Sequence, residues 1–280
     1  MSPRAVDGDE AAGKGGHRPG RRPVTAGLIL RSALFGVGQV VLTVVFATVA
    51  VLAIPLPYRL RFHAITRWNA INLWWLGVTC GLRHEVSGLE NAPDRPCIVL
   101  CKHQSAWETL ALAGYFVPQA WVVKRELLRI PFFGWGLAAL RPIAIDRAAG
   151  KDALAQVLEQ GRQRLDDGLW VVIFPEGTRT APGVRRRYRI GGARLAAETG
   201  VPVLPIAHNS GDYWPRHSFL KRPGTIRMIV GKPIDPAGRS ATEINCEVEE
   251  WIEATVARLR AEAGFAPYDA PPPPAPEDAT

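Results

Sequence analysis

Ser32–Ile54 is a run of 23 residues without one charged side chain, and it constrains the fold more than any other feature of this 280-residue chain. A helix of that length spans about 35 Å, enough to cross a hydrocarbon core of about 30 Å. Pro55 and Pro57 end the run, Arg59, Arg61 and Arg67 follow, and a shorter apolar segment occupies Trp68–Cys80 with Trp74 and Trp75 adjacent. Paired tryptophans suit a membrane interface. Arginines flank both ends, with Arg18, Arg21, Arg22 and Arg31 on the near side. The positive-inside tendency holds both flanks in the cytosol, which a two-helix hairpin dipping into one leaflet satisfies better than a single span. A cleaved signal peptide, with Ala50 and Ala53 near the cut, is the competing reading, and the apolar run is too long for it.

Beyond Leu89 the pattern changes to short apolar runs separated by helical spacing. Cys97–Cys101, Trp121–Val123, Ile143–Ile145, Trp170–Phe174, Val203–His208 and Thr225–Val230 read as strands. Ser105–Phe116, Lys151–Leu165, Ala193–Glu198 and Thr242–Ala261 read as helices. The alternation predicts an α/β fold, with a mixed, largely parallel sheet flanked by helices and an N-terminal two-helix membrane motif. The expected organisation is a disordered basic arm at 1–25, a membrane-associated helical hairpin at 26–82, an α/β domain at 83–265 and a Pro-rich disordered tail at 266–280.

A net charge of +8 favours anionic partners. No nucleic-acid module is recognisable, and the apolar run turns the reading toward a membrane. Cys80, Cys97, Cys101 and Cys246 lack zinc spacing, and two of them sit in apolar runs, as reduced thiols of a cytosol-facing protein do.

Two segments carry chemistry. His103 lies just past the Cys97–Cys101 strand, and Glu108 follows five residues later. On a regular helix that spacing turns about 140°, so the pair meets only if His103 precedes the helix and folds back toward its first turn. Glu108 would then orient the imidazole and leave its other nitrogen free as a base. Ser105 to Glu108 is equally a capping box, in which Glu108 serves backbone N–H groups. A Cys101/His103 nucleophile pair is the weaker option, since a cysteine in an apolar run is usually packing. Phe174–Thr180 also ends a strand: Gly177 permits a tight turn, Arg179 can grip a phosphate, and Glu176 can bond a polyol hydroxyl or hold Arg179. Asp146–Arg147 and Lys124–Arg125 add cations at other strand ends, and Arg185, Arg186, Arg187 and Arg189 form a basic run that fits an anionic membrane or carrier. Pro131–Gly136 fits an acyl channel, a lipid contact or core packing.

Taken in order, these blocks resemble the glycerolipid acyltransferase family, on its 1-acylglycerol-3-phosphate O-acyltransferase branch. His103 to Glu108 matches the family's first block, Phe133-Gly134 through Asp146-Arg147 the second, Phe174–Thr180 the third and Val201–Pro205 the fourth. The resemblance covers roughly residues 85–235 and departs at Glu108, where the family usually has Asp. It implies that His103 deprotonates the free hydroxyl of a lysophospholipid, with Glu108 orienting it, and that the alkoxide attacks an acyl-CoA or acyl carrier protein thioester without an acyl-enzyme. Arg179, with Gly177 and Arg147, would hold the acceptor's phosphate and Glu176 its glycerol, and Thr178 and Lys124 are expected among the substrate-binding residues. No metal or cofactor beyond the acyl donor is implied, and the expected location is a cell inner membrane with the site facing the cytoplasm. Competing functions are acylation of another lyso-lipid such as lyso-ornithine lipid, a non-catalytic anionic-lipid adaptor, and a hydrolase. The last lacks a nucleophile elbow.

Overall fold

The structure is a computed structural model that describes residues 23–146 and 148–266. Residues 1–22 and 267–280, which hold most of the expected arm and tail, and Arg147 lie outside the described residues.

Helix α1 (Ala26–Leu52) starts where Thr25 Oγ1 accepts the Leu28 N–H at 3.2 Å. Helix α2 (Tyr58–Cys80) runs back beside it and stops at Gly81, whose φ of 63° reverses the chain. The return helix begins ten residues before the expected Trp68, so Arg59, Arg61 and Arg67 sit on it rather than in a linker. Gly38 makes the helix contact close: a Cβ there would lie 2.1 Å from Trp75 Nε1. Among the described residues α1 alone is long and apolar enough to cross a membrane, with a mean hydropathy of 2.2 and most of its surface uncovered. Val37, Val40, Val41 and Val44 of α1 and Trp74 and Val78 of α2 are exposed, an apolar surface that suggests membrane association.

The sheet has seven strands: β1 (Leu82–Ser87), β2 (Ile98–Cys101), β3 (Gln119–Lys124), β4 (Ile143–Ile145), β5 (Trp170–Ile173), β6 (Val203–His208) and β7 (Gly224–Val230). Their order is β1-β7-β6-β2-β5-β3-β4, and every pair is parallel except β6–β7. The expected mixed, largely parallel sheet is what forms. Strand β2 lies at its centre, with Val99 beside Leu204 and Val172, and is buried throughout, which is why Ile98–Cys101 is continuously apolar. Strand β1 went unrecognised in the sequence. It is an edge strand whose exposed Arg83 and Glu85 alternate with Leu82, His84 and Val86, and its partner β7 lies some 140 positions away.

Helices α1, α2 and the short α3 (Trp107–Ala111) cover one face. Helices α5 (Lys151–Asp166), α6 (Gly191–Thr199) and α8 (Ala241–Glu262) cover the other. The expected helix Ser105–Phe116 survives only as α3 and a 3-10 turn at Leu112–Gly114. Helix α4 (Phe133–Ala139) packs against α1, and α7 (Ser210–Tyr213) follows β6. Because β2, β3, β5 and β6 run in parallel, the segments after each emerge at one edge, where α/β folds place their ligands.

Candidate active site

His103 follows β2 by two residues, ahead of α3, so its ring can turn back toward that helix. Glu108 Oε1 lies 2.9 Å from His103 Nδ1 and also accepts the backbone N–H groups of Gln104 and Ser105, each at 2.8 Å. Glu108 therefore orients the imidazole and serves backbone N–H groups ahead of α3, but the expected capping box does not close: Ser105 Oγ accepts the Trp107 N–H at 3.1 Å, and α3 has no side-chain cap. With Nδ1–H donating to the carboxylate, Nε2 carries the free lone pair. The His103 side chain is 13% exposed whereas that of Glu108 is fully buried. Phe174 stacks on the ring, with centroids 4.0 Å apart, and fixes its plane.

The second carboxylate oxygen has a partner that motif spacing did not reveal. Ser210, at the start of α7, donates its hydroxyl to Glu108 Oε2 at 3.1 Å. Beside it lies His208, fully buried at the end of β6 and 4.0 Å from the same oxygen. His208 Nε2 donates to the Lys102 carbonyl at 2.8 Å, and Nδ1 accepts the Ser210 N–H at 3.3 Å, which is the pattern of a neutral ring. Burial pushes the His208 pKa down, in agreement. Burial alone would raise the Glu108 carboxyl, but the hydrogen bonds from His103 and from the Ser105 N–H hold it below the usual carboxylate range. A carboxylate kept ionised beside Nδ1 stabilises the imidazolium that forms when Nε2 takes a proton.

The second segment binds the first through its backbone. Glu176 Oε1 accepts the His103 N–H at 3.1 Å, and Thr180 donates its N–H and hydroxyl to the His103 carbonyl at 2.8 and 3.1 Å. Blocks 70 residues apart thus clamp one residue from both sides. Glu176 is buried and lies 3.3 Å from the buried Lys102 Nζ, which also meets Glu253 Oε1 of α8 at 2.6 Å. Tyr188 donates to the same Glu253 oxygen at 2.9 Å. Burial raises the Glu176 carboxyl while Lys102 opposes the shift. The side chain of Glu176 contacts Lys102 rather than Arg179. Gly177 has a φ of 70°, and a Cβ there would come within 2.7 Å of Arg189 Nε, so glycine both makes the turn and admits Arg189.

Arg179 is exposed and its carbonyl accepts from Arg216, a cation that the motifs had not singled out. Its guanidinium forms no ion pair among the described residues. Thr178 is half-buried in the turn between Gly177 and Arg179. Lys124 ends β3 with its amine 3.1 Å from Glu126 on the surface, and it is not among the residues that line the cavity with His103. Cys101 is fully buried in β2, burial raises its thiol well above the ordinary range, and it acts as packing.

His103, Ser105, Phe174 and Arg179 line a common cavity of about 410 Å³. Its far wall is apolar and comes from the helical hairpin and α4: Thr43, Phe46 and Ala47 of α1, Ile65 and Trp68 of α2, Phe133 and Leu137 of α4. Phe132, Phe133 and Gly136 of the aromatic segment face this cavity while Trp135 is exposed, so the segment both lines a channel and offers an apolar surface. The arrangement joins a base, a free guanidinium and an apolar slot that leads toward α1 and α2.

Residues 83–209 match the Acyltransferase family model. A Pseudomonas aeruginosa protein named 1-acyl-sn-glycerol-3-phosphate acyltransferase is 48% identical over 208 residues, spanning 73% of this chain and 81% of that one. The human 1-acyl-sn-glycerol-3-phosphate acyltransferase alpha is 30% identical over 203 residues, 70% of each chain. The chain belongs to the glycerolipid acyltransferase family. The crystal structure of PlsC, the 1-acyl-sn-glycerophosphate (LPA) acyltransferase of Thermotoga maritima, superimposes with a TM-score of 0.70 at 27% identity, covering 84% of this chain and 96% of that one.

Proposed function

We infer that the protein transfers an acyl chain from an acyl thioester to the free hydroxyl of 1-acylglycerol-3-phosphate, giving phosphatidic acid. The enzyme is an O-acyltransferase of phospholipid biosynthesis. The observation that carries the reading is the single cavity shared by His103, Arg179 and the apolar wall of α1, α2 and α4. A lysophosphatidate presents those three chemistries: a hydroxyl for a base, a phosphate for a guanidinium, and an acyl chain for a dry slot.

His103 Nε2 takes the hydroxyl proton while Glu108 steadies the imidazolium through Nδ1. The alkoxide oxygen adds to the thioester carbonyl, and the tetrahedral intermediate collapses with C–O formed and C–S broken. The imidazolium returns its proton to the departing thiolate. Coenzyme A and acyl carrier protein both present such a thioester, and both are proposed as donors. The exposed apolar face of the hairpin supports attachment to a membrane. We place it at a cell inner membrane with the strand-end edge toward the cytoplasm, where acyl thioesters are made.

The test is phosphatidate formation by detergent-solubilised protein from lysophosphatidate and an acyl thioester. His103→Ala should lower kcat by about 10³-fold, and an unchanged rate would remove the imidazole from the mechanism. Arg179→Ala should raise the KM for lysophosphatidate about tenfold and leave a phosphate-free acceptor such as lyso-ornithine lipid unaffected. Equal sensitivity of both acceptors would exclude the phosphate contact.

A further inference from the structure

A second depression, of about 920 Å³, opens at the same strand-end edge but on the opposite face of the sheet, between α5, α6 and α8. Its floor is apolar, from Ile145, Val157 and Ile173, and Gly191 and Gly192 keep its wall low. Its rim carries Arg186, Arg187 and Arg189, all exposed and none in an ion pair among the described residues. Glu176 and Asn245 also line it, and Glu176 Oε2 and Asn245 Oδ1 are buried with no hydrogen-bond partner among the described residues. Phe174 and Val122 belong to the walls of both this groove and the catalytic cavity, and Phe174 stacks on His103. The groove therefore ends against Phe174, the ring that stacks on His103.

We propose that this groove holds the phosphopantetheine arm of the acyl donor, with its phosphate on Arg186, Arg187 and Arg189 and its thioester delivered past Phe174 to His103. The inference rests on the acyl-transfer reading and adds where the second substrate sits. A phosphopantetheine arm has an anionic end for three guanidinium groups, two amide N–H donors for a wall that leaves two acceptors unsatisfied, and methyl groups for an apolar floor. The acceptor phosphate meets Arg179 in the other cavity, so the two anionic ends occupy different faces and do not repel. The arm is common to coenzyme A and to acyl carrier protein, and both sources fit the same rim.

The test is a donor titration on Arg186→Glu/Arg187→Glu beside wild type, with acyl-CoA and acyl carrier protein thioesters in separate arms. The donor KM should rise about tenfold or more while the lysophosphatidate KM stays within twofold. An effect in one arm alone supports the groove and names the source. Cys246 supplies a second test that leaves the arginines in place. It lines the groove and is exposed, while Cys80, Cys97 and Cys101 are buried. A bulky maleimide on the folded protein should raise the donor KM, and Cys246→Ser should be resistant. Calorimetric binding of free coenzyme A needs no turnover and should weaken about tenfold in the double variant. Binding that weakens in a protein unable to make phosphatidate would sink the acyl-transfer reading and leave the groove standing. An unchanged donor KM in both arms, or a rise in acceptor KM instead, overturns the groove.

Discussion

The two faces of the sheet are built from different materials. Toward α1, α2 and α4 the strand ends open into a small cavity walled by Phe46, Ala47, Ile65, Trp68 and Phe133, with His103 and Arg179 as its polar groups. Toward α5, α6 and α8 they open into a larger depression rimmed by Arg186, Arg187 and Arg189. One face thus offers apolar contact and the other positive charge, with only the Phe174 ring and the end of β3 between them. The proposed transfer of an acyl group from a soluble, phosphate-bearing donor to a lysophospholipid needs both environments within reach of one imidazole. A central strand of a parallel sheet provides them, because its C-terminal end is the one place adjacent to both layers.

The comparison can be broken at three strengths. Glu108→Gln should cost most, lowering kcat by about 10²-fold or more with both substrate KM values nearly unchanged, because imidazolium stabilisation serves both faces equally. A loss confined to either KM would mean that Glu108 acts in binding instead. Ala47→Trp should fill the apolar slot and reduce kcat/KM for lysophosphatidates with long acyl chains about tenfold while sparing short ones. Chain-length profiles of the variant and wild type measure it, and parallel profiles would remove α1 from the acyl site. Ser210→Ala should have the smallest effect, a loss of about fivefold in kcat, or about 1 kcal/mol. It should also move the acid limb of the kcat profile to higher pH, since without the Ser210 donor the Glu108 carboxylate protonates more readily. Ser210→Thr, which keeps the hydroxyl, should restore both; a rate loss without a shifted profile would reduce Ser210 to a packing residue.

Much of this was legible in the chain because it depended on short-range pattern. Ile143–Ile145 and Val203–His208 are strands at the bounds that apolar runs indicate, and Glu108 meets His103 because five intervening bonds and a helix start bring them together. Where tertiary contact overrides pattern, the reading failed. The α3 helix is one and a half turns rather than three, and the half-polar edge strand β1 showed no apolar run. Ser210 is 102 positions from Glu108 and Glu253 is 151 from Lys102, so no spacing rule links either pair. Glu176 shows the limit most clearly. Its place in the motif pointed to a substrate hydroxyl, whereas the folded chain buries it against Lys102 and the His103 N–H.

What the linear order of residues determined was the inventory: an uncharged segment long enough for a membrane, strands and helices in alternation, and an imidazole with an acid five positions on. Those follow from local periodicity and from steric rules that act over a few residues. Only the folded sheet decided which groups share a cavity, because strands drawn from residues 98, 119, 170 and 203 become neighbours through hydrogen bonds that no local pattern encodes. The same packing made one face apolar and the other basic, by choosing which helices lie against each.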